Sequence, residues 1–364
     1  MASTSLDETY MKAALGLARR GLGTVAPNPA VGCILVKDGI IIGRGWTQPG
    51  GRPHAETMAL GQAGAAAKGA TAYVTLEPCA HVGKTGPCAE ALVNAGISRC
   101  VMAVSDPDWR VAGKGLAILA NAGVETRNGV CEMEAAQLNR GFFLRVSRER
   151  PLFTVKIAST LDGRIALENG DSKWITGSEA RRFGHMLRAQ HDGILVGSGT
   201  VLADDPSLDC RLAGLEGRSP VPIILDGTLQ LKPTHKLAQC AATRGTVVFH
   251  QVRDAAKEAA LQKLGVETVA VEDTHDLAAV SAILAERGFT RVLVEGGGQV
   301  HASFLKAGFA DRIAHFSAAK AIGADGRPAI GALDLASLGE APHFNLETIR
   351  QLGPDILASY VKAE

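Results

Sequence analysis

The chain has 364 residues, 46% of them hydrophobic, 21% charged and 4% aromatic, with a formal net charge of +1. That length exceeds one ordinary domain, and the balance is that of a globular protein whose core is filled by Leu, Val, Ile and Ala. Near-neutral charge argues against general affinity for nucleic acid or membranes, no stretch is apolar for long enough to span a bilayer, and Asp7 and Glu8 interrupt any early signal-like run. Seven cysteines without framework spacing fit a reducing compartment, so the expectation is a cytoplasmic enzyme.

Residues 5–20 read as an amphipathic helix, with Leu6, Tyr10, Ala13, Ala14 and Leu17 on one side and Ser5 or Asp7 as its cap. Two prolines then hold Thr24-Val25-Ala26-Pro27-Asn28-Pro29 extended. Asn28 in that setting offers a donor and an acceptor to a heterocycle, although the same residue is a common turn former. Residues 31–36 and 40–45 pattern as a hairpin around the turn Asp38-Gly39. A long Ala-rich helix follows from His54 to Lys68, then a strand over 72–76, a helix over 88–95 and a strand over 100–104. Helices over 114–122 and 131–140, with a strand over 124–126 between them, complete an alternation that predicts a three-layer α/β/α sandwich.

Within this half, residues 53–88 carry the chemistry. His54 is followed two residues later by Glu56, and two Pro-Cys pairs supply Cys79 and Cys88. One imidazole and two thiolates are the ligands of an open zinc site that keeps a fourth position for water. Glu56 need not touch the metal and instead moves protons, the division of labour in zinc nucleobase deaminases. Eight residues, 80–87, separate the two cysteines, and Gly83, Gly86 and Pro87 suit the turns such a loop needs. The loop also carries Lys84, a cation for an anionic substrate. Cys88 opens a helix, where the dipole favours a thiolate. A closed structural zinc site is the competing reading; it needs a fourth ligand, for which His81 is the nearby candidate, and leaves Glu56 idle.

Residues 140–151 are charge-rich and end at Pro151, which places the domain boundary there: 1–148 and 149–364. The second half restarts with a strand over 152–158 that carries Lys156, a loop over 159–164, and a helix from Ser178 to His191 containing Arg181, Arg182 and Arg188. Strands follow over 193–196, 221–225, 246–249, 268–271 and 291–294, with a final helix over 299–307. Two Gly-rich turns, Gly197-Ser198-Gly199-Thr200 and Glu295-Gly296-Gly297-Gly298, end strands and open turns or helices. Each alone is a tight turn as readily as a phosphate cradle, and neither is a Rossmann fingerprint. Together with Ser172, Arg188 and Arg211 they point to a ligand bearing several phosphates.

Both halves resemble one family. PNPAVGCILVKDG, PHAETMAL, GATAYVTLEPCAHVGKTGPC and VAGKG in the first half, and KIASTLDGRIA, SKWITG, LRAQHDGILVGSGTVLADDPSL and EGGG in the second, are similar to the bifunctional riboflavin-biosynthesis deaminase/reductases. The resemblance implies a cytidine-deaminase-like domain joined to a dihydrofolate-reductase-like α/β domain. It implies zinc-dependent hydrolysis of an exocyclic amine on 2,5-diamino-6-(5-phosphoribosylamino)pyrimidin-4-one, followed by NADPH reduction of the ribosyl group to ribityl. Carried onto this chain, one zinc sits on His54, Cys79 and Cys88 with Glu56 as the acid–base group; Asn28 and Lys84 are expected to meet the substrate on the reading of the residues given above. In the second domain Lys156 and Asp204 lie near the reacting carbon. Ser172, Arg188, Leu208, Arg211 and Glu295 would contact substrate. Ala158, Trp174, Thr200, Asp204 and the run Gly297, Gly298, Gln299, Val300, His301, Ala302 and Ser303 would contact NADPH. Thr47 and Asp108-Trp109 differ from residues that many members carry. The expected partners are the small phosphoribosylaminopyrimidine and further copies of the chain in a homo-oligomer, not nucleic acid or membrane. A nucleic-acid-editing deaminase shares the zinc chemistry but predicts a basic, aromatic-bearing surface, which +1 charge and 4% aromatics do not supply.

Overall fold

The computed structural model describes residues 2–80, 86–107 and 112–363, with the backbone alone for 2–5. The chain divides into two compact units, Met1–Arg150 and Pro151–Glu364. Among the described residues no helix is long and apolar enough to cross a membrane.

The N-terminal unit runs α1 (Ala2–Ala18), β1 (Gly32–Lys37), β2 (Ile40–Trp46), α2 (Ala55–Ala63), β3 (Thr71–Val74), α3 (Cys88–Asn94), β4 (Arg99–Met102), α4 (Lys114–Asn121), β5 (Glu125–Arg127), α5 (Glu132–Leu138) and α6 (Arg140–Arg148). Its five strands lie in the order β2-β1-β3-β4-β5, with β1 antiparallel to both neighbours and β3, β4 and β5 parallel. Two glycines show why helices cover both faces. A Cβ on Gly32 would come within 1.9 Å of the Ala14 carbonyl on α1, and one on Gly45 within 2.0 Å of the Ala55 carbonyl on α2. Gly45 is the register partner of Cys33, the residue after Gly32, so the two close approaches lie on opposite faces of the sheet. The predicted three layers form, and α2 is held tightly enough to fix what stands at its start.

One expectation changes here. Helix α1 begins at Ala2, so Asp7 is not its cap. Asp7 lies inside the helix, buried, and accepts hydrogen bonds from Tyr73 on β3, Arg99 on β4 and Arg127 on β5. The charge-rich stretch before Pro151 is helical, forming α6, because its apolar residues recur at helical spacing and pack Phe143 against the first core.

The C-terminal unit runs β6 (Leu152–Thr160), β7 (Arg164–Ala166), α7 (Ser178–Ala189), β8 (Gly193–Gly197), α8 (Ser198–Asp204), β9 (Val221–Leu225), α9 (Lys236–Gln239), α10 (Ala241–Arg244), β10 (Val247–His250), α11 (Ala255–Gln262), β11 (Glu267–Ala270), α12 (Leu277–Glu286), β12 (Arg291–Val294), α13 (Gly298–Lys306), β13 (Arg312–Ala318), β14 (Arg327–Pro328), β15 (Phe344–Leu352) and β16 (Asp355–Lys362). Nine strands form one sheet, β11-β10-β9-β8-β12-β6-β13-β16-β15, parallel except where β16 pairs with β13 and β15. After β8 the chain winds outward to β11, then returns to insert β12 between β8 and β6. That reversal opens the crevice at the carboxyl ends of β8, β12 and β6, where open α/β sheets bind ligands. Strands β13, β15 and β16 lie beyond the last helix predicted. β15 hides from pattern reading because most of its residues face solvent, which leaves no apolar alternation.

Candidate functional site

In the N-terminal unit His54 is the residue preceding α2, in extended conformation, and Glu56 sits in the first turn with only 3% of its surface exposed. Cys79 follows β3, and Cys88 is the first residue of α3. His54 Nδ1 lies 3.3 Å from Cys88 Sγ and 3.6 Å from Cys79 Sγ, and the three donor atoms all fall within 4.8 Å of one another. A tetrahedral zinc with Zn–S near 2.3 Å and Zn–N near 2.0 Å sets neighbouring ligand atoms about 3.5–3.8 Å apart, so this donor set fits the ion.

The start of α3 also serves the other cysteine. The backbone N–H of Cys88, at the start of α3, donates to Cys79 Sγ at 3.3 Å, so the helix end favours charge on Cys79 as well. Hydrogen bonding from the Cys88 thiol, aided by His54 and that N–H, outweighs burial and holds Cys79 down to about 4. Cys88, donating its proton to Cys79, is pushed up, and the same neighbour raises His54. Protons shared among the three donors are what a metal displaces on binding. Burial pushes the Glu56 carboxyl up to about 7, the range of a group that both takes and returns a proton near neutrality.

Asn28 is half-buried beside this region. Gly50 N–H donates to Thr24 O at 2.8 Å, and a Cβ on Gly51 would meet Asn28 Nδ2 at 1.9 Å, which brings the Asn28 amide against the loop leading to His54. Asn139 clamps the adjoining Ala30, accepting its N–H at 2.9 Å and donating to its carbonyl at 3.1 Å. Thr47 is buried and accepts the Val31 N–H at 3.0 Å, so it serves the sheet edge. His81, Gly83, Lys84 and Asp108-Trp109 lie outside the described residues. Glu77 drew no attention in the sequence; it is buried and accepts several backbone N–H groups, a role with no periodic signal.

In the C-terminal unit Lys156, Ala158, Trp174, Arg188, Arg211 and Glu295 line one cavity of about 440 Å³. Lys156 and Ala158 are two apart on β6 and share a face. Glu295, just past β12, accepts Lys156 Nζ at 3.3 Å and two nitrogens of Arg188, each at 2.9 Å. Burial alone would raise Glu295, but the charges of Arg188 and Lys156 outweigh it and hold the carboxyl well below the usual range. Arg188 also donates to the Asp209 carbonyl at 2.9 Å, while the Arg211 side chain is 65% exposed and 3.4 Å from Asp209 Oδ1. The Arg181 guanidinium lies over the Trp174 ring at 4.6 Å. Arg181 and His185 both line the cavity and were not picked out as site residues; their spacing with Arg188, i, i+4 and i+7 on α7, was the available signal.

The remaining predicted residues do not line that cavity. Ser172 is in a turn, its carbonyl accepting the Ile175 N–H at 3.1 Å, and Leu208 is buried in a hydrophobic cluster. Thr200 and Asp204 belong to α8, and Gly297 to Ser303 form the start of α13, where His301 and Ala302 are buried. These two helix starts are neighbours: they leave adjacent parallel strands, and a Cβ on Gly197 would lie 3.0 Å from Val300. No side chain caps α13, so its first-turn N–H groups suit the phosphates of a dinucleotide such as NADPH.

Comparison with known proteins covers both units. Residues 4–104 match the cytidine and deoxycytidylate deaminase zinc-binding region, and residues 151–358 match the RibD C-terminal domain. The chain is 43% identical over 352 residues to the riboflavin biosynthesis protein RibD of Aquifex aeolicus, covering 97% of each, and 40% identical to that of Escherichia coli, covering 98% of this chain and 100% of the relative. Among solved structures it is similar to Acinetobacter baumannii RibD, with TM-score 0.89 and 38% identity, covering 99% and 100% of the two chains. A Thermotoga maritima diaminohydroxyphosphoribosylaminopyrimidine deaminase/5-amino-6-(5-phosphoribosylamino)uracil reductase gives TM-score 0.88 at 36% identity with the same coverage.

Proposed function

The chain belongs to the RibD family of riboflavin-biosynthesis proteins, and from that premise we propose how its residues divide two consecutive reactions. The protein is a bifunctional enzyme, with a cytidine-deaminase-like zinc domain followed by a dihydrofolate-reductase-like, NADPH-dependent domain. His54, Cys79 and Cys88 hold one zinc, which when bound supplies the Lewis acidity that makes water a nucleophile at neutral pH. Glu56 accepts the proton of the attacking water and returns it to the ring nitrogen and the departing amine. A C–O bond forms at the ring carbon as the exocyclic C–N bond breaks, and ammonia leaves. Asn28 presents donor and acceptor to the pyrimidine, and Lys84 meets the anionic end of 2,5-diamino-6-(5-phosphoribosylamino)pyrimidin-4-one.

For the second step NADPH, when bound, would supply the hydride that reduces the anomeric carbon of the ring-opened imine. Lys156, oriented by Glu295, gives the balancing proton to the imine nitrogen, so that C=N becomes the C–NH of a ribityl group. Arg188 and Arg211, which line the cavity, hold the sugar phosphate. Ala158, Trp174, Thr200, Asp204 and the segment from Gly297 to Ser303 hold the cofactor. The seven free cysteines suit a cytoplasmic setting.

The observation that carries this reading is the convergence of His54, Cys79 and Cys88 beside the buried Glu56. Its test supplies the diaminopyrimidine phosphate with and without NADPH and follows ammonia and NADPH separately. Ammonia release is expected without NADPH, and NADPH oxidation only on the deaminated product. Oxidation that runs equally well before deamination would refute the order.

A further inference from the structure

Glu77 has no part in that chemistry, yet it is only 5% exposed and its carboxylate meets four backbone N–H groups. Oε1 accepts from Gly115 at 3.0 Å and Leu116 at 3.3 Å, and Oε2 accepts from Gly113 at 3.1 Å and Asp106 at 3.4 Å. Those donors sit at the two ends of the connection from β4 to α4 and in the first turn of α4. The backbone N–H of Glu77 donates to the Val104 carbonyl at 3.0 Å, so the residue is gripped from both sides. Two residues further on is Cys79. Helix α4 presses on the same turn, since a Cβ on Gly115 would come within 2.0 Å of the Pro78 carbonyl oxygen. A buried carboxylate is costly unless hydrogen-bonded, and a surface loop with no task has no need of one.

We infer that Glu77 is a positioning residue for deamination, locking the Pro78-Cys79 turn to the β4–α4 connection and so fixing how the Cys79 sulfur enters the metal site. The inference rests on the reading of His54, Cys79 and Cys88 as the zinc ligands. A ligand carried on a rigid segment needs less ordering when the metal binds, and it holds the ion at a constant place relative to Glu56. Both carboxylate oxygens face donors. An amide in their place keeps one pair of N–H partners and turns its own NH2 toward the other pair.

The test uses the full-length, zinc-loaded protein with Glu77→Gln. Partners of this outer kind shift metal affinity or activity by about 10–100-fold when removed. Zinc affinity, read by competition with a chromogenic chelator, is expected to weaken by about that factor. The kcat of ammonia release per zinc-loaded chain is expected to fall by about tenfold, with KM little changed. NADPH oxidation on pre-deaminated substrate stays at the wild-type rate. A role in folding alone would lower the melting temperature while zinc affinity and kcat of the loaded chain stay at wild type, and that result overturns the proposal. Glu77→Asp, which keeps the charge but draws the carboxylate back by one methylene, decides the matter if the Gln variant does not fold. It should lose zinc affinity and kcat in the same direction, and wild-type values for both would again overturn it. Glu56→Gln and Cys88→Ser run alongside. If they keep deaminase activity, the zinc-site reading itself fails; if they lose it and both Glu77 variants do not, only the role of Glu77 falls.

Discussion

The two candidate sites are built on opposite plans. In the N-terminal unit every donor lies between residues 54 and 88, and the groups face one another with protons shared among two thiols and an imidazole. In the C-terminal unit the residues span 156 to 303 and come from β6, α7, β8–α8 and β12–α13. There the charges already satisfy one another, since Glu295 takes both Lys156 and Arg188. The first site is a set of donors that a cation completes. The second is an ion-paired frame, organised before any ligand arrives. Metal chemistry dictates ligand type and geometry, so it leaves a local imprint on the chain. A buried carboxylate between two cations needs only that three elements meet, and the fold supplies that meeting.

The contrast breaks most visibly at the metal. Cys88→Ser replaces a thiol that gives up its proton on binding the metal with a hydroxyl that stays protonated, so near-complete loss of zinc and of ammonia release is expected, with NADPH oxidation of pre-deaminated substrate intact. Metal analysis finding one tightly held zinc in this variant would move the site elsewhere. Glu56→Gln comes next. It leaves the three donors in place, so zinc should remain while ammonia release falls roughly 10²–10⁴-fold, the usual worth of a positioned acid–base group. Glu295→Gln tests the other plan. It strips two part-buried cations of a carboxylate whose side chain is 8% exposed, a change that costs about 3–5 kcal/mol when no partner remains. Water reaching Lys156 and Arg188 puts the expected loss near the lower figure, about 3 kcal/mol, in denaturant unfolding of the C-terminal unit. Because the folded carboxyl is held low, its contribution is complete above the ordinary Glu value of about 4.3 and disappears only as pH falls through the lower folded value. The gap between wild type and variant should therefore be the same at about pH 7 and about pH 5. A gap that shrinks over that range would mean the carboxyl is not held low.

Legibility in the sequence followed the same divide. The hairpin over β1 and β2, the helix starts at His54 and Cys88, and the strand delivering Cys79 could all be read, because turn chemistry and helix signals are local. The β–α alternation of the second half was equally plain, and with it both glycine turns. What could not be read depends on distance. That Arg181, His185 and Arg188 meet Lys156 and Glu295 in one cavity requires β12 to insert between β8 and β6, which no stretch of sequence states. That Ser172 and Leu208 do not line that cavity is equally a product of tertiary packing. Glu77 and Asn139 were invisible because their partners are backbone groups 29 to 39 and 109 residues away. Polar side chains that serve distant backbone leave no pattern of their own.

Asp7 gives the smallest and most local test of how the N-terminal unit holds its frame. Its carboxylate accepts Arg99 at 2.8 and 3.0 Å, Arg127 at 2.7 Å and the Tyr73 hydroxyl at 2.8 Å, so one side chain on α1 ties that helix to β3, β4 and β5 together. Arg99 is the main cause holding its carboxyl below the usual range, acting against burial. Asp7→Asn keeps the shape but loses the charge, and its NH2 must face at least one of those donors. Hydrogen bonds to charged groups are worth about 1.5–3 kcal/mol, and both arginines keep contact with water, so a loss of about 2 kcal/mol is expected. The sign with pH follows from the lowered value. The stabilisation is complete above the unfolded carboxyl near 3.9 and fades as pH falls through the lower folded one, so wild type and variant should converge only in strong acid. Urea unfolding of the full chain, followed by circular dichroism at about pH 7 and about pH 3, would measure both gaps. Zinc content and the kcat of ammonia release should not change at room temperature, because Asp7 touches neither His54, Cys79, Cys88 nor Glu56. Equal stability of the two proteins at neutral pH would show that the arginines find other partners at no cost. The frame of this unit would then rest on its apolar core alone.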